Sequence, residues 1–486
     1  MSYLDLTITD MHEALVAKKV TPLELAKEAL ERAKANNDNA FEGYMDEQAL
    51  SIAASLKEPE VNNPFWGIPF VIKDNFATRN FPTTGSSNIL KDYVPCFDAT
   101  AVAKLLQAHA VPIAKSTLDE LAMGGSGITG HKGPTFNPYD SKHERMIGGS
   151  SCGSAVSVAA SIVPFALGSD TGDSVRKPAG YAGLVGMKPT WGRISRYGLF
   201  PFAPSLDHVG YFTRSVEDAA LSLAVIAGRD LEDSTSSTRP VEDYTRLLKT
   251  DLKGIRVAVI KEIMDTITNP TVLKAFDQSI VALREAGAVV DNVHFDKRLL
   301  GTIYPTYITI SCSEVTSNNA NLDGIKFGPR FEGNTYQEVM FNARTAGFSE
   351  LIKRRFVIGS FALMRENQDV LFLRAQKCRR KIVDTLNDIL KTYDAVYLPS
   401  APTIAPKFKD SHDQLSDEYL IADNHLAFGN FAGLPSLTLP IGFEKGMPLG
   451  ANVMGRAFEE AKVFQIAQAI ENKTGYRNLS AKEVRV

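Results

Sequence analysis

GGSSCGSAVSVAASIVPFALGSDTGDSVRKP, residues 148–178, holds two clusters of glycine and serine on either side of a run of small apolar residues. The run at 154–164 predicts a helix whose small side chains allow its backbone to pack very close to neighbouring elements. Such a helix lies near the centre of a fold, so we expect the flanking glycine-rich segments to be loops held in the middle of the molecule. Loops that are supported this rigidly commonly form active sites.

Around this stretch, helix and strand patterns alternate along the chain. Thr21, Pro22 and Glu24 form a capping box that predicts a helix start. The continuous apolar run at 68–74 predicts a strand covered on both faces, and residues 98–110 predict a helix. Further strands are predicted at 111–116, 256–261, 395–402, 436–442 and 450–455. The alternation indicates an α/β protein with a mostly parallel or mixed central β-sheet.

Composition limits the class of protein. The chain has 486 residues, of which 44% are hydrophobic, so it can bury a large core. No long linker or charge block divides it, and we expect a single domain over 1–486 with insertions. The net charge of −3 lacks the basic excess that binding to nucleic-acid phosphates usually requires. Four widely spaced cysteines, with neither a signal-peptide pattern nor a membrane-spanning apolar run, favour the cytoplasm and no membrane contact.

Two common motifs fit the opening stretch poorly. A phosphate-binding loop would need GxxxxGK[ST], or GxGxxG after a strand, and neither spacing is present. Residues 149–153 match the G-x-S-x-G nucleophile elbow with Ser151 as nucleophile. The histidines that could supply its base are His208, His294, His412 and His425. That elbow requires a buried strand directly before it, whereas residues 140–146 are polar.

A third interpretation places two serines in series with a lysine as the final base. A serine hydroxyl is a weak nucleophile until a neighbouring group removes its proton, and lysine can do so when burial keeps its amine neutral. Lys73 fits this requirement because it follows the apolar strand run, while Asp74 beside it would point to the opposite face. A serine between the lysine and the nucleophile would relay the proton.

The residues that carry this chemistry also carry a family resemblance. Residues 67–75 (GIPFVIKDN), 148–154 (GGSSCGS) and 168–178 (GSDTGDSVRKP) resemble the amidase signature family. The stretches 98–106, 118–126, 186–210, 213–220 and 431–440 extend the likeness to that family's glutaminase subunits of tRNA-dependent amidotransferases. The resemblance therefore runs over nearly the whole chain. It implies a mixed central β-sheet covered by helices on both faces, with a mainly helical insertion at about 300–390.

The resemblance implies roles for individual residues. It makes Ser174 the nucleophile, Ser150 a serine with a cis peptide bond and Lys73 the base. The backbone of Thr171, Gly172 and Asp173 would form the oxyanion hole. In the alternative interpretation, the two serines only cap helices and Lys73 is a solvated strand end.

A pocket for the substrate is also implied. Glutamine is a zwitterion, so its site should offer one cation and one anion. Arg355 resembles the family's carboxylate-binding arginine, Asp423 the aspartate that holds the ammonium group, and Gly125 and Ser126 a wall of the pocket. The alternatives are a solvated basic helix face for Arg355 and a loop cap for Asp423.

The activity implied is hydrolysis of glutamine without a metal or organic cofactor in this chain. Ammonia would pass to a partner protein that uses ATP and Mg²⁺ to convert Glu-tRNA(Gln) to Gln-tRNA(Gln). Amidotransferase B and C subunits are the expected partners in a heterotrimer, with the tRNA held mainly by the partner. The alternatives are a stand-alone amidase of the same family and a catalytically impaired scaffold subunit.

Two residues depart from the family pattern. Asp173 replaces the usual glycine before the nucleophile, and we expect its carboxylate to point away from the oxyanion, towards Arg176 or Lys177. Cys152 also replaces a glycine, which predicts a site where thiol reagents could inactivate the enzyme.

Overall fold

A computed structural model describes residues 2–410 and 425–484 of the chain, and in these ranges an eleven-stranded β-sheet forms the centre of the fold. Its strands are β1 (Phe41–Tyr44), β2 (Pro69–Lys73), β3 (Val111–Ser116), β4 (Phe165–Asp170), β5 (Val185–Lys188), β6 (His208–Thr213), β7 (Arg256–Ile260), β8 (Val289–Val293), β9 (Ala395–Pro399), β10 (Ser436–Glu444) and β11 (Met447–Gly455).

The helices flank this sheet. They are α1 (Ile8–Val16), α2 (Pro22–Ala35), α3 (Asp46–Ser55), α4 (Thr100–Gln107), α5 (Cys152–Ala159), α6 (Arg176–Ala182), α7 (Val216–Ile226), α8 (Lys261–Met264), α9 (Pro270–Glu285), α10 (Lys297–Leu300), α11 (Ile303–Asn318), α12 (Tyr336–Gly347), α13 (Glu350–Leu363), α14 (Phe372–Thr392), α15 (Phe428–Phe431), α16 (Glu460–Thr474) and α17 (Ala481–Val484). Throughout the described ranges, every helix is too short or too polar to cross a bilayer.

The sheet is mixed, with strand order β1-β3-β2-β4-β6-β5-β10-β11-β9-β7-β8. Strands β3, β2 and β4 pair in parallel, as do β9, β7 and β8, and the pairs between these two groups are antiparallel. Every residue of β2, β3 and β4 is buried although successive side chains point to opposite faces, so both faces of these strands are covered. The predicted fold class is confirmed.

Most of the predicted elements occur close to their expected positions. Helix α2 begins with the predicted capping box, in which the Thr21 hydroxyl accepts the Glu24 N–H. Strand β2 covers most of the predicted run at 68–74, and α4 lies within the predicted 98–110. Between 303 and 392 the chain forms α11 to α14, and no strand of the sheet lies in this fully described interval.

The helix of small residues is shorter than predicted but packs as closely as expected. Helix α5 ends at Ala159 instead of 164, because Ser161 adopts a positive φ of 51° that a helix cannot continue through. Every residue of α5 is buried. A Cβ at Gly153 would lie 2.2 Å from the carbonyl oxygen of Ala40, so only glycine allows this approach. The two flanking loops are thereby held against the centre of the sheet.

Candidate active site

Lys73 lies at the carboxyl end of β2, fully buried, and contacts serines of both clusters. Its Nζ is 2.8 Å from the Ser150 Oγ, 2.9 Å from the Ser151 Oγ and 2.9 Å from the Ser169 Oγ. Burial disfavours the charged amine and lowers the pKa of Lys73 to about 7. A large fraction of the amine is therefore neutral at neutral pH, as a general base requires.

The carboxylate of Asp74, the next residue, does not pair with the Lys73 amine and so does not restore its pKa. Asp74 points away from the serines and pairs with the buried Lys115, whose Nζ lies 3.1 Å from its Oδ1. This geometry follows from the alternation of side chains at the end of a strand, as the sequence predicts. Lys73 thus faces hydroxyl groups, whereas Asp74 has its own cation.

Backbone contacts hold Ser150 beside Lys73. The Gly149–Ser150 peptide bond is cis, and the Gly149 N–H donates to the Gly125 carbonyl at 2.9 Å. The Asp119 N–H donates to the Ser150 carbonyl at 3.2 Å. The Asp119 carboxylate in turn accepts the N–H groups of 127–129, so one residue organises both sides of this loop.

The second serine cluster forms the turn between β4 and α6. Asp170 and Arg176 make a buried ion pair of 2.9 Å, and the guanidinium keeps the pKa of Asp170 well below its usual range although burial opposes this. Arg176 also donates to the Gly172 carbonyl at 2.9 Å. The N–H groups of 171–174 donate to no described residue, so they are available for an oxyanion.

Ser174 is brought next to the first cluster through its backbone. Its carbonyl accepts the Ser151 N–H at 3.2 Å, and the residue is only 4% exposed. Among the hydrogen bonds of the described residues, none joins the hydroxyls of Ser150 and Ser174. The structure therefore joins Lys73 to Ser150 directly and places Ser174 on the adjoining turn.

Asp173, the residue before Ser174, is buried. Burial raises the pKa of its carboxyl to about 6, and the charge of Lys177 opposes this. Of the two cations offered as partners by the sequence, Arg176 is already paired with Asp170. The Oδ2 of Asp173 has no hydrogen-bond partner within the described residues.

Arg355 projects inward from α13. It is 4% exposed, and its Nε and Nη1 are buried without a hydrogen-bond partner in the described ranges. The guanidinium carbon lies 5.5 Å from the centre of the Phe202 ring. The Ser126 hydroxyl is likewise buried and unpartnered there, and Asp423 lies outside the described residues. Unmet donors of a buried cation are costly, so this guanidinium fits an anionic ligand group.

The family assignment comes from comparison with known proteins. The Amidase family model matches residues 24–464. The chain belongs to the amidase signature family.

Relatives in this family cover the chain almost completely. The A subunit of glutamyl-tRNA(Gln) amidotransferase from Lactiplantibacillus plantarum is 40% identical over 481 residues, which is 98% of this chain and 97% of the relative. The protein of the same name from Listeria innocua is 38% identical over 483 residues, covering 98% and 99%. The solved structure of its namesake from Thermotoga maritima has a TM-score of 0.78 at 37% identity and covers 97% and 95%. Peptide amidase from Stenotrophomonas maltophilia has a TM-score of 0.80 at 29% identity, with 98% of both chains covered.

The described residues of this amidase signature protein do not supply the histidine base that the nucleophile elbow requires. His208 and His425 are buried and contact the carbonyls of Leu206 and Pro399, and His294 pairs with Glu262. Of the histidines in the described ranges, none contacts the Ser151 hydroxyl. His412 lies outside those ranges, and residues 140–150, which come directly before Ser151, contain no strand.

The expectation that Cys152 reacts with thiol reagents is wrong. The residue is 1% exposed, and burial raises the pKa of its thiol to about 12. A reagent would meet neither an accessible sulfur nor a thiolate at neutral pH. The sequence cannot show this, because the burial of Cys152 depends on elements far away in the chain.

Tyr307 on α11 is a site residue that the sequence analysis missed. A Cβ at Gly172 would lie 2.9 Å from its ring, so the ring packs directly against the turn before Ser174. Burial raises the pKa of the Tyr307 hydroxyl, on which the charges of Arg355 and Asp173 also act. No local sequence signal distinguishes this tyrosine, whose position depends on how the helical segment packs.

Across the described ranges, no group of three His, Cys, Asp or Glu side chains is arranged to hold a metal ion.

Proposed function

We propose that this chain is the glutaminase subunit of a tRNA-dependent amidotransferase. The observation that carries the proposal is the conjunction of a buried Lys73–Ser150 contact with the buried Nε and Nη1 of Arg355, which donate to no described residue. The first is a base for acyl transfer, and the second suits the α-carboxylate of an amino acid. The relatives named as A subunits of glutamyl-tRNA(Gln) amidotransferase support the same assignment.

The reaction begins at the carboxamide carbon of glutamine. The Ser174 Oγ forms a bond to this carbon, while its proton passes to Ser150 and the proton of Ser150 passes to Lys73. The carbonyl oxygen becomes an oxyanion that the N–H groups of 171–174 stabilise. The relay then runs in reverse and protonates the departing ammonia as the C–N bond breaks. Water, activated by the same relay, releases glutamate from Ser174.

Ammonia then serves a second active site outside this chain. We propose that amidotransferase B and C subunits are the partners and that a partner subunit uses ATP and Mg²⁺ to form Gln-tRNA(Gln) from Glu-tRNA(Gln). The net charge of −3 supports tRNA binding mainly by the partner. We place the complex in the cytoplasm, since its substrate is an aminoacylated tRNA.

An assay of ammonia release tests this proposal. The purified chain, alone and with its partner subunits, is expected to hydrolyse glutamine, and the complete complex is expected to convert Glu-tRNA(Gln) when ATP is added. Hydrolysis of simple amides in preference to glutamine would favour a stand-alone amidase, to which the likeness to peptide amidase points. If the complete complex did not hydrolyse glutamine, the result would favour a catalytically impaired scaffold subunit.

Arg355→Ala is expected to lower kcat/KM for glutamine about 100-fold, mainly through KM, because two charge-assisted hydrogen bonds to the carboxylate are lost. In the α-amide of glutamine, a carboxamide replaces the α-carboxylate. Hydrolysis of its side-chain amide should therefore change little. Steady-state kinetics with both substrates measure the difference. Arg354, the exposed neighbour on α13, provides the matched control Arg354→Ala, which should behave like the wild type. An equal loss on both substrates would show that Arg355 does not bind the carboxylate.

Asp173→Ala is expected to change kcat by less than about twofold, because the backbone N–H that serves the oxyanion remains. A carboxylate directed at the oxyanion would instead oppose the transition state electrostatically. Glutamine turnover at saturating substrate distinguishes the two cases. A large gain in rate would mean that Asp173 suppresses catalysis, as the scaffold alternative requires.

A further inference from the structure

Glu120 is a buried acid that the reaction does not use. It follows β3 in a short turn and is 3% exposed. Burial raises the pKa of its carboxyl, and hydrogen bonds from Ser349 and Ser87 oppose this rise. A buried carboxylate is costly unless donors satisfy it, so the identity of its donors shows what it holds in place.

The donors come from two distant segments. The Ser87 hydroxyl donates to Oε1 at 2.5 Å, and the Ser349 N–H donates to Oε2 at 3.2 Å. Ser349 is the N-cap residue of α13, and its own side chain makes no capping hydrogen bond. Glu120 therefore places a negative charge at the N-terminus of α13, where the helix dipole stabilises it.

Helix α13 is the element that carries Arg355. Its inner face packs on α11 so closely that a Cβ at Gly359 would lie 2.0 Å from the Cys312 carbonyl. This contact fixes the distance between the two helices. The Glu120–Ser349 hydrogen bond adds a second restraint at the N-terminal end of α13.

The residue before Glu120 holds the catalytic side of the same site. The Asp119 N–H contacts the Ser150 carbonyl, and the Asp119 carboxylate binds the loop at 127–129. Two adjacent residues thus connect the Lys73–Ser150 centre with the helix that carries the guanidinium. Their shared backbone joins the segment that holds Ser150 to the helix that carries Arg355.

We propose that Glu120 is a positioning residue that sets the place of Arg355 and so makes the site selective for amides bearing an α-carboxylate. The inference rests on the proposed glutaminase function. Glu120 contacts neither substrate nor reacting atoms in this account. It acts through α13, and its effect should therefore appear only when Arg355 and a substrate carboxylate are both present.

Glu120→Gln tests this proposal, because an amide has one acceptor oxygen where two donors require acceptors. We expect KM for glutamine to rise about tenfold, kcat to change less than threefold, and hydrolysis of the α-amide of glutamine to stay unchanged. In an Arg355→Ala background, Glu120→Gln should add little. Glu350→Gln is the matched control, since it removes an exposed carboxylate from the first turn of α13 and should leave KM unchanged.

Ser349→Pro keeps the test decisive if Glu120→Gln fails to fold. It deletes the N–H that Glu120 accepts, and proline suits the Ser349 φ of −68°. The same rise in KM is expected. An additive effect in the Arg355→Ala background, or an equal loss on both amides, would overturn the proposal. Wild-type protein that does not hydrolyse glutamine would instead contradict the proposed function.

Discussion

Ser174→Ala is expected to abolish glutamine hydrolysis, with kcat lowered roughly 10⁵-fold, because no covalent intermediate can form without the attacking hydroxyl. The three groups of the relay act as one unit, so their losses should not add. Combining Ser174→Ala with Lys73→Ala is therefore expected to lower the rate little further. Release of ammonia and formation of glutamate, measured on the same samples, provide the rates.

Two further serines control this experiment. Ser222 is buried in α7 and donates to the Asp218 carbonyl, so Ser222→Ala should fold and retain full activity. Ser151 contacts the Lys73 amine, and Ser151→Ala is expected to slow the reaction far less than Ser174→Ala. If Ser151→Ala instead removed all activity while Ser174→Ala kept more than a few per cent, Ser151 would be the nucleophile.

The burial of Lys73 and the close packing around α5 could be predicted because their signals are local. A lysine at the end of an apolar strand will be buried on one face, and this is the case for Lys73 in β2. The run of small residues before β4 likewise indicates close backbone packing, which Gly153 shows. Such inferences need only the period of a strand or helix and the size of neighbouring side chains.

The parts that the sequence could not show depend on distant contacts. Glu120 and Ser349 are 229 residues apart, and nothing near either residue indicates the hydrogen bond between them. Tyr307 and Gly172 meet because α11 packs beside the turn before the nucleophile. Cys152 is a case in which a distant contact overturned a prediction. Its position in the family motif suggested that thiol reagents could reach it, but tertiary packing buries the side chain.

Lys73 should be the second residue whose loss nearly stops the reaction. Lys73→Ala is expected to lower kcat about 10²–10⁴-fold, the usual contribution of a general base. Lys73→Arg provides the sharper test, because arginine keeps the positive charge but cannot give up its proton near neutral pH. If the lysine served only as a buried cation, arginine would restore activity. We expect arginine to be as inactive as alanine.

The pH dependence of the wild type follows from the same amine. The Lys73 pKa is lowered to about 7 by burial, so below this pH the amine is protonated and cannot accept the proton relayed from Ser174. kcat/KM for glutamine should fall as pH decreases through about 7 and level off above it. Asp173, with a pKa raised to about 6, is a second group near Ser174 that could produce such a fall. Asp173→Asn should leave the pH profile unchanged. The residual activity of Lys73→Ala, in contrast, should no longer fall as pH decreases through about 7. If the profile followed Asp173 instead, proton transfer to a neutral Lys73 could not be the step that limits the rate at low pH.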